Sequence, residues 1–536
     1  MLRASRLGLA IASGFMLFMA CPDFDLWPLM WVALVPALHL ALTAATPKRA
    51  FFLGWLTGVV ANTGGFYWMK GLLERFGHMP VYVAIPIMML LTTYQGVTFA
   101  FWSWGVHRAH RRTALPLFVL APLIMVTLEL LVPQIFPFYL AISQAWIVPL
   151  IQVADLTGPM GVTFLMLMMT GALYDAAARW RAGAASLGRA LRPVAIAGLV
   201  IAAVVGYGFL RISQVQARRE SAPKADVGLV QANVGILEKW DPAERAGLLE
   251  THQRLSSQLA AAGADLVVWP ESSYPYPLSR SMTRDFDPTD ARRIRRGFST
   301  PLMFGTVTVE SGAARGTGSR YPYNTALMMD AGGNITATFD KVFLLVFGEY
   351  IPFYEQAPWF RKVFPEASHF NRGSEPASFP VNIDGREFRI GPLICYEDIL
   401  PGFTRRVAKL RPHLFVNITN DAWFGRTSEP YQHLALSVFR SVEHRLEMVR
   451  AVNTGVSAHI DATGRVRRAT PSADPQEQPP PQPIAIMNDV ALLEGGTVYA
   501  AVGDTFAWLC ALTLAALVAR LPRHRALAGG YRKKNG

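Results

Sequence analysis

The chain has 536 residues, of which 51% are hydrophobic and 17% are charged, and its mean hydropathy is +0.25. Soluble domains carry about 25% charged residues, so this composition indicates a membrane protein. A formal net charge of +13 is compatible with nucleic acid or with a membrane surface. The cationic residues cluster beside apolar segments, and no basic stripe with interleaved aromatic residues occurs. We therefore expect a membrane partner and no nucleic-acid partner.

Eight apolar runs are each long enough to cross a bilayer, which takes about 17–25 residues. The runs cover 6–21, 26–45, 51–70, 82–106, 115–132, 158–177, 193–212 and 498–519. The first run could instead be a signal peptide, but the many apolar runs that follow favour a first membrane helix. Segment 133–157 is apolar but contains Pro133, Pro137 and Pro149, so we expect a re-entrant or interfacial stretch there.

The positions of Lys and Arg in the short loops predict the orientation of these helices. One set of helix ends is cationic, with Arg3, Arg6, Lys48, Arg49, Arg108, Arg111, Arg112, Arg179, Arg181, Arg189, Arg192 and the C-terminal tail. The opposite loops hold Asp23, Asp25, Lys70, Glu74, Arg75 and Asp155, and Arg218 and Arg219 are a mild exception. Both termini are thus predicted in the cytoplasm. Seven helices would occupy 1–212, an extracytoplasmic domain 213–497, the eighth helix 498–519 and a basic cytoplasmic tail 520–536.

Two kinds of reactive group lie in or near the apolar runs. Glu129 falls inside the fifth run, where an ionisable residue is a functional candidate. A hydrogen bond in helix packing is an equally good interpretation of Glu129. Cys21 and Cys510 lie in or beside apolar runs, which leaves Cys395 as the one thiol of the polar domain and argues against a disulfide framework.

From Ala225 the pattern changes to short β-like runs separated by helical stretches. The predicted strands cover 227–233, 264–269, 302–307, 388–395 and 414–418, and the predicted hairpins cover 323–339 and 456–465. Helical spacing is found over 242–262 and 432–450. The chain contains no Walker loop, dinucleotide fingerprint or metal-ligand spacing. We therefore expect neither a cofactor nor a metal.

Three reactive side chains each follow the end of a predicted strand: Glu271, Lys341 and Cys395. In layered folds catalytic groups gather at strand ends. A thiol, a carboxylate and an ammonium together suit acyl transfer, as nucleophile, proton acceptor and oxyanion partner. Taken singly, each side chain also has an ordinary interpretation as a buried cysteine, a loop carboxylate or a solvated lysine.

Ordered motifs around these residues resemble the carbon–nitrogen hydrolase (nitrilase) superfamily over roughly 225–490. The motifs are Trp269-Pro270-Glu271, Asp340-Lys341 and the segment 393–398 around Cys395. The resemblance implies an α-β-β-α sandwich with a Glu–Lys–Cys triad. Segments 238–242, 348–352, 417–425 and 450–455 narrow the resemblance to the apolipoprotein N-acyltransferases. An eight-helix transmembrane bundle with the sandwich domain inserted before the last helix is similar to that family as well.

The resemblance implies a role for each residue that matches a family motif. Glu271 would be the general base, Lys341 the oxyanion and positioning lysine, and Cys395 the nucleophile. Supporting roles would fall to Glu349, Glu397, Tyr396, which neighbours the nucleophile, and Trp240, near the substrate entrance.

Four further aromatic residues are candidates for the substrate path. Trp423 and Phe424 would line the acyl or lipoprotein path, or would simply be core aromatics. Trp359 and Phe360 belong to an aromatic segment that would either form a mobile lid at the outer leaflet or pack into the domain.

The resemblance also implies a two-step reaction at the bacterial inner membrane. Cys395 would take an acyl chain from a membrane phospholipid as a thioester. The α-amine of a diacylated apolipoprotein would then take the chain from the thioester, on the periplasmic side. A membrane-tethered amidase, in which water replaces the amine, is the alternative that the three residues by themselves leave open.

Overall fold

The structure is a computed structural model. It describes residues 2–75, 77–113, 115–183, 186–235, 238–239, 241–310, 321–346, 348–350, 369–474, 476–477 and 481–520. Trp240, Trp359, Phe360 and residues 521–536 of the predicted tail lie outside the described residues.

The first part of the chain is helical. Its helices are α1 (Leu2–Met19), α2 (Met30–Ala33), α3 (Val35–Thr43), α4 (Pro47–Gly65), α5 (Trp68–Arg75), α6 (Val81–Gln95), α7 (Val97–His110), α8 (Leu117–Leu131), α9 (Val148–Ile151), α10 (Ala154–Thr157), α11 (Met160–Arg181) and α12 (Leu187–Ser221). Small residues allow close packing between α4 and α7. A Cβ on Gly54 would lie 2.5 Å from the Phe99 carbonyl oxygen, and one on Gly58 would lie 2.5 Å from that of Gly96. Such close approach is a common basis of helix association in membranes.

Three helical segments of the described chain are long and apolar enough to cross a membrane: Val81–His110, Met160–Arg181 and Leu187–Ser221. Shorter apolar helices cover most of the other predicted runs, as at Ser5–Met19, Trp27–Thr43, Leu117–Leu131 and Thr505–Ala519. The bundle of eight helices therefore remains a prediction. The 35-residue α12 leaves Leu199 73% exposed and Phe209 61% exposed, as expected of a helix surrounded by lipid.

The second part of the chain consists of strands and covering helices. In chain order the strands are β1 (Lys224–Gln231), β2 (Leu266–Val268), β3 (Leu278–Ser279), β4 (Leu302–Val309), β5 (Tyr323–Met329), β6 (Ile335–Asp340), β7 (Phe379–Ile383), β8 (Arg386–Ile394), β9 (Leu414–Thr419), β10 (Glu447–Val452), β11 (Ala458–Ile460), β12 (Val466–Ala469) and β13 (Ile484–Ala491). The helices are α13 (Arg245–Ala261), α14 (Pro401–Ala408), α15 (Glu429–His444), α16 (Val498–Val502) and α17 (Thr505–Arg520).

These strands form two sheets in the described part of the chain. One has the order β13-β1-β2-β4-β5-β6, with β3 paired to β4, and the other has the order β12-β11-β10-β9-β8-β7. The central strands β1, β2 and β4 are parallel, as are β8, β9 and β10, while the outer strands pair antiparallel. Parallel neighbours bring several strand ends to the same edge of each sheet.

Alternating side chains place one core between the sheets and another outside the first sheet. Leu266 and Val268 of β2 belong to the cluster that also contains Phe415 of β9, so this core lies between the two sheets. Val267 points the other way and packs with Leu255 of α13. Helix α15 packs beside the second sheet, where the His444 ring lies 5.7 Å from that of Phe415. The predicted α-β-β-α sandwich is therefore confirmed.

The predicted helix over 432–450 is wrong in its last part. Arg445 adopts φ 53° and ends α15 at His444, after which Glu447–Val452 forms β10, parallel to β9. The apolar residues of that segment fit both the helical and the strand periodicity, and pairing with β9 selects the strand. Strands β7 and β13 had no counterpart in the prediction. Each pairs antiparallel at an outer position of its sheet. The partner of β13 is β1, which is distant in sequence.

A buried network of polar groups joins the helical part to the sandwich. The guanidinium of Arg445 donates to Asp155 at 2.7 Å and to the side-chain oxygen of Gln152 at 2.6 Å. Tyr207 and Arg211 of α12 also donate to Asp155, at 2.7 and 2.9 Å. Beyond residue 212, α12 continues to Ser221, and its Arg219 pairs with buried Glu447 of β10. The sandwich is thus anchored to the helices by charge pairs with Asp155 of α10 and Arg219 of α12.

Replacing Arg445 with Met should lower the thermal unfolding midpoint of the protein in detergent, because buried Asp155 loses one of its two guanidinium partners and keeps only Arg211. Removing the sole partner of a buried charge costs about 3–5 kcal/mol, and the remaining Arg211 pair keeps the loss below that. The matched control is Arg406→Met, since the Arg406–Glu375 pair is exposed at both side chains. Equal midpoints for the two variants would contradict a stabilising role for the Arg445 network.

Candidate active site

The structure brings Glu271, Lys341 and Cys395 together at one end of the sandwich. Glu271 follows β2, Lys341 follows β6 and Cys395 follows β8. The Nζ atom of Lys341 lies 3.1 Å from Oε1 of Glu271. Lys341 is 1% exposed and Glu271 is 6% exposed, so these charges meet out of contact with bulk water.

Close backbone packing positions Glu271. The segment after β2 turns sharply, with Ser272 at φ 47°. It lies directly on Gly305 of β4, where a Cβ would come 2.7 Å from the Cα of Glu271 and 2.5 Å from the Ser272 nitrogen. Glycine is therefore required at position 305 for Glu271 to reach Lys341.

Lys341 binds two carboxylates rather than one. Its Nζ lies 2.8 Å from Oε2 of Glu349 in addition to its contact with Glu271. The side-chain amide of Asn324, on β5, donates to both carboxylates at 2.7 Å. The Leu345 amide also donates to Glu349, at 2.8 Å. Glu349, predicted as a supporting residue, thus orients the ammonium from the side opposite Glu271.

Cys395 lies in a strained turn at the end of β8. Its φ is 51°, in the left-handed region that a residue with a Cβ seldom adopts. The Asn417 amide of β9 donates to the Cys395 carbonyl at 3.1 Å and holds this turn. The short turn of helix that follows, Cys395–Ile399, keeps the thiol beside the ends of β8 and β9.

Glu397 fastens the Cys395 turn to the segment after Lys341. One of its oxygens accepts from the Val342 and Phe343 amides at 2.7 and 3.1 Å, and the other accepts from Ile394 at 2.9 Å. The side chain is fully buried, and this burial raises the pKa of Glu397 to about 8. Three amide donors to one carboxyl place the Lys341 and Cys395 segments in a constant relation.

The surrounding charges shift the pKa values of the reactive groups. Burial by itself would lower the pKa of Lys341, but the carboxylates of Glu271 and Glu349 outweigh it and hold the pKa well above its usual value. Burial raises the pKa of the Cys395 thiol well above its usual value, and Glu271 raises it further, whereas Lys341 lowers it. Lys341 is therefore a permanent cation, and the resting thiol keeps its proton at neutral pH.

Lys239 is a second buried cation near the site, and the sequence did not single it out. Its ammonium donates to the backbone carbonyl of Glu271 at 2.9 Å. Burial lowers the pKa of Lys239 to about 8, against the opposing effect of Glu271 and Cys395. Its neighbour in the predicted motif, Trp240, lies outside the described residues.

An apolar cavity reaches the thiol from the helical part of the molecule. Cys395 and Tyr396 lie on one side of this cavity, and Phe424 closes another. Its other walls come equally from the helical part, with Phe66, Trp68, Phe136, Pro137, Phe138 and Ile142, and from the sandwich, with Leu345, Ile399, Glu429, Gln432, His433 and Leu436. The predicted neighbour Tyr396 and the predicted path residue Phe424 therefore do face the thiol cavity.

Trp423 and Phe424 both pack as aromatic residues, and their role in a substrate path stays a prediction. Phe424 is 8% exposed, and its ring lies 5.1 Å from that of Trp68, edge to face. Trp423 packs against the same aromatic cluster. Phe424 is thus a packed aromatic and a cavity wall at once, because the cavity lies at the junction of the two parts of the chain.

A cluster of charged groups lies in and beside the cavity wall, and it was not predicted from the sequence. Asp421, Glu429 and His433 offer atoms within 4.8 Å of one another, as metal ligands would. Burial and Arg450 lower the pKa of His433, but Asp398 and Asp421 outweigh them and raise it to about 10. His433 is therefore a cation at neutral pH. The imidazole of His433 would have to lose a proton to bind a metal.

Comparison with known proteins accounts for both parts of the chain. Residues 13–172 match the family model of the apolipoprotein N-acyltransferase N-terminal domain, and residues 226–477 match that of the carbon-nitrogen hydrolases. An apolipoprotein N-acyltransferase of Geobacter metallireducens is 34% identical over 524 residues, covering 96% of this chain and 95% of that protein. One of Bdellovibrio bacteriovorus is 30% identical over 477 residues, covering 86% of this chain and 85% of that protein.

Among solved structures, a variant of an amidase from Nesterenkonia covers 53% of this chain and 98% of its own, with 17% identity and a TM-score of 0.36. One family model covers most of the helical part and the other covers most of the sandwich, and the Geobacter match spans both. The chain belongs to the apolipoprotein N-acyltransferase family.

Proposed function

We propose that this protein transfers an acyl chain from a membrane phospholipid to the N-terminal amine of a diacylated apolipoprotein, through a thioester on Cys395. The observation that carries the proposal is the cavity that joins this thiol to aromatic side chains of the helical part. Both substrates bear acyl chains anchored in a bilayer, and an apolar cavity between membrane helices and thiol suits such chains. Low water content near the thioester also favours an amine over hydrolysis.

Step one begins at the protonated thiol. Since burial and Glu271 raise the Cys395 pKa, Sγ needs a base, and the Glu271 carboxylate takes its proton as Sγ attacks the ester carbonyl of the phospholipid. Negative charge then develops on the carbonyl oxygen, and the ammonium of Lys341 stabilises it. Collapse of this intermediate breaks the ester C–O bond, and the lysophospholipid alkoxide takes the proton from Glu271.

Step two uses the same groups in the reverse direction. The neutral amine of the apolipoprotein attacks the thioester carbonyl, and Glu271 takes a proton from its nitrogen. The C–S bond breaks, its electron pair returns to Sγ, and Glu271 passes the proton to Sγ, which restores the Cys395 thiol. Glu349 and Glu397 act through positioning, since the first orients the Lys341 ammonium and the second holds the Lys341 segment against the Cys395 turn.

The proposed reaction sets the location of the domain. Eight membrane helices with both termini in the cytoplasm would put the sandwich on the periplasmic side of the inner membrane, facing the outer leaflet. Support comes from the cationic residues at one set of helix ends and from the three long apolar helices. In this arrangement 1–212 and 498–519 form the membrane part, and 213–497 forms the catalytic domain.

The function is tested with purified protein, vesicle phospholipid and a synthetic diacylated lipopeptide. N-acylation of the peptide should match lysophospholipid release one to one. Release of free fatty acid in place of N-acyl peptide would indicate the amidase-like alternative, in which water takes the acyl group.

Incubation with phospholipid alone should add one acyl chain to the protein, and Cys395→Ser should remove this addition. A serine hydroxyl lacks the nucleophilicity that a thiolate has near neutral pH. Intact-protein mass spectrometry followed by peptide mapping locates the chain. Cys510→Ser is the matched control, because that thiol is buried against α8 and α11 residues. An acyl chain retained by Cys395→Ser would refute the assignment.

The charges around Cys395 predict opposite effects of two substitutions on its alkylation. Lys341 lowers the thiol pKa and Glu271 raises it, so Lys341→Met should slow alkylation at fixed pH while Glu271→Gln should accelerate it. Both variants should still lose acyl transfer, which separates thiol ionisation from catalysis. Iodoacetamide labelling of the Cys395 peptide across a pH series measures the effect.

Lys409 is exposed, so Lys409→Met is the control for removal of a cation far from the thiol. Shifts in the same direction for Lys341→Met and Glu271→Gln would contradict this charge arrangement.

Reporter fusions test the predicted topology. Alkaline phosphatase joined after Glu494, before the last helix, should be active because it is exported, whereas a fusion after Gly536 should be inactive. Green fluorescent protein at the same two positions should give the reverse pattern. A phosphatase active only at Gly536 would contradict both the topology and the periplasmic reaction.

A further inference from the structure

Glu429 is the one carboxylate among the described residues that line the thiol cavity. It is the first residue of α15, and it shares the cavity with Cys395, Tyr396 and His433 in otherwise largely apolar walls. Glu271 and Lys341 are not among these lining residues. A substrate in the cavity can therefore contact the Glu429 carboxyl as well as the Cys395 thiol.

The carboxyl of Glu429 has hydrogen-bonding capacity to spare. Its Oε2 atom is buried and accepts no hydrogen bond from any residue that the structure describes. The Oε1 atom lies 3.9 Å from Nδ1 of His433, beyond hydrogen-bond distance. A buried carboxylate without donors is costly, so a group that donates to it would be strongly favoured.

When Glu429 is ionised, the charged groups around it include one more anion than cation. The groups that face it are Asp421, His433, Arg450 and Asp398. With Glu429 ionised, three carboxylates face two cations, because His433 is protonated. In the empty site a proton on Glu429 makes up the difference, since burial and Asp421 raise its pKa well above the usual value. Any ligand cation with N–H donors can replace that proton.

We propose that Glu429 binds the α-ammonium of the acyl acceptor and takes the proton that the amine must lose before it attacks the thioester. This inference rests on the proposed function and adds a second base to it. An N-terminal ammonium has a pKa of about 7.7–8.0, so most acceptor molecules arrive charged and non-nucleophilic. A carboxyl with a raised pKa is well matched to that proton.

The protons balance over the second step. The entering ammonium displaces the Glu429 proton to solvent, and the carboxylate then takes one proton from the ammonium. The neutral nitrogen forms the N–C bond, the C–S bond breaks, and its electron pair returns to Sγ. The second proton of the nitrogen passes through Glu271 to the Cys395 thiolate. Cys395 is then a thiol again and Glu429 a carboxylic acid, as in the empty site.

The test separates acylation from transfer in Glu429→Gln. Protein preloaded with phospholipid should form the acyl-enzyme within about twofold of the unsubstituted rate, because the first step delivers no ammonium. Transfer to a diacylated lipopeptide should fall about 10–100-fold at about pH 6.5, and most of this loss should disappear at about pH 9, where the free amine predominates. Single-turnover mass spectrometry follows both steps.

Hydroxylamine is the neutral probe, since it is uncharged at neutral pH and needs no carboxylate to release a proton. It should cleave the acyl-enzyme of Glu429→Gln at the unsubstituted rate. Glu429→Asp should recover part of the transfer rate, and Glu375→Gln, whose side chain is 79% exposed, should change neither step.

Two results would overturn the inference. One is transfer by Glu429→Gln at the unsubstituted rate at both pH values, and the other is an equal loss with lipopeptide and hydroxylamine, which indicates a packing defect. Absence of an acyl-enzyme in the unsubstituted protein would instead overturn the proposed function itself.

Discussion

The ion pairs of the Lys341 ammonium are the interaction on which the rest of the site depends. A lysine that is 1% exposed keeps its charge because two carboxylates, Glu271 and Glu349, lie within 3.1 Å of it. Taking such ions out of water is costly unless they are paired and hydrogen bonded. Asn324 supplies the additional donor to both carboxylates. Removing Lys341 would leave two buried carboxylates without their shared cation, and removing Asn324 would leave both without their shared amide donor, so these contacts position the residues as a unit.

The same arrangement explains why the Cys395 thiol keeps its proton in the absence of substrate. A lysine shared between two carboxylates offers less of its positive charge to Cys395, and burial favours the neutral thiol. Proton removal is therefore tied to the arrival of an electrophile, as general-base catalysis requires. A thiol that keeps its proton until an electrophile is bound is protected from adventitious chemistry.

The thiol cavity lies at the junction between the helical part and the sandwich. Trp68 of the helical part contacts Phe424 of the sandwich, Phe66 packs on Trp68, and all three line one apolar cavity with the thiol. Charge pairs of Arg445 and Arg219 hold the sandwich against the helices beside this cavity. Arg219 is an exception to the cation asymmetry of the short loops, from which the orientation of the helices was predicted. Its pairing with buried Glu447 gives this exception a structural reason.

The amino-acid sequence by itself determined the composition of a membrane protein, most of the central strands of the sandwich and the positions of Glu271, Lys341 and Cys395 at strand ends. These features are local, since hydropathy, two-residue alternation and strand-end motifs can be read over short windows. The sequence also carried the supporting residues Glu349, Glu397 and Tyr396 within those motifs. Only the tertiary structure decided the end of α15 at Arg445 and the strand β10, because apolar residues of that segment suit either period until β9 lies beside them.

Contacts between distant residues decided the rest of the site. Asn324 joins Glu271 to Glu349 from a strand that reads as ordinary core, and Glu429 acquires its setting from Asp398, Asp421 and Arg450. No window of the sequence contains these neighbours together. Burial then converts ordinary carboxyl, imidazole and ammonium groups into groups with shifted pKa values, because the energy of a charge depends on what surrounds it and not on its place in the chain.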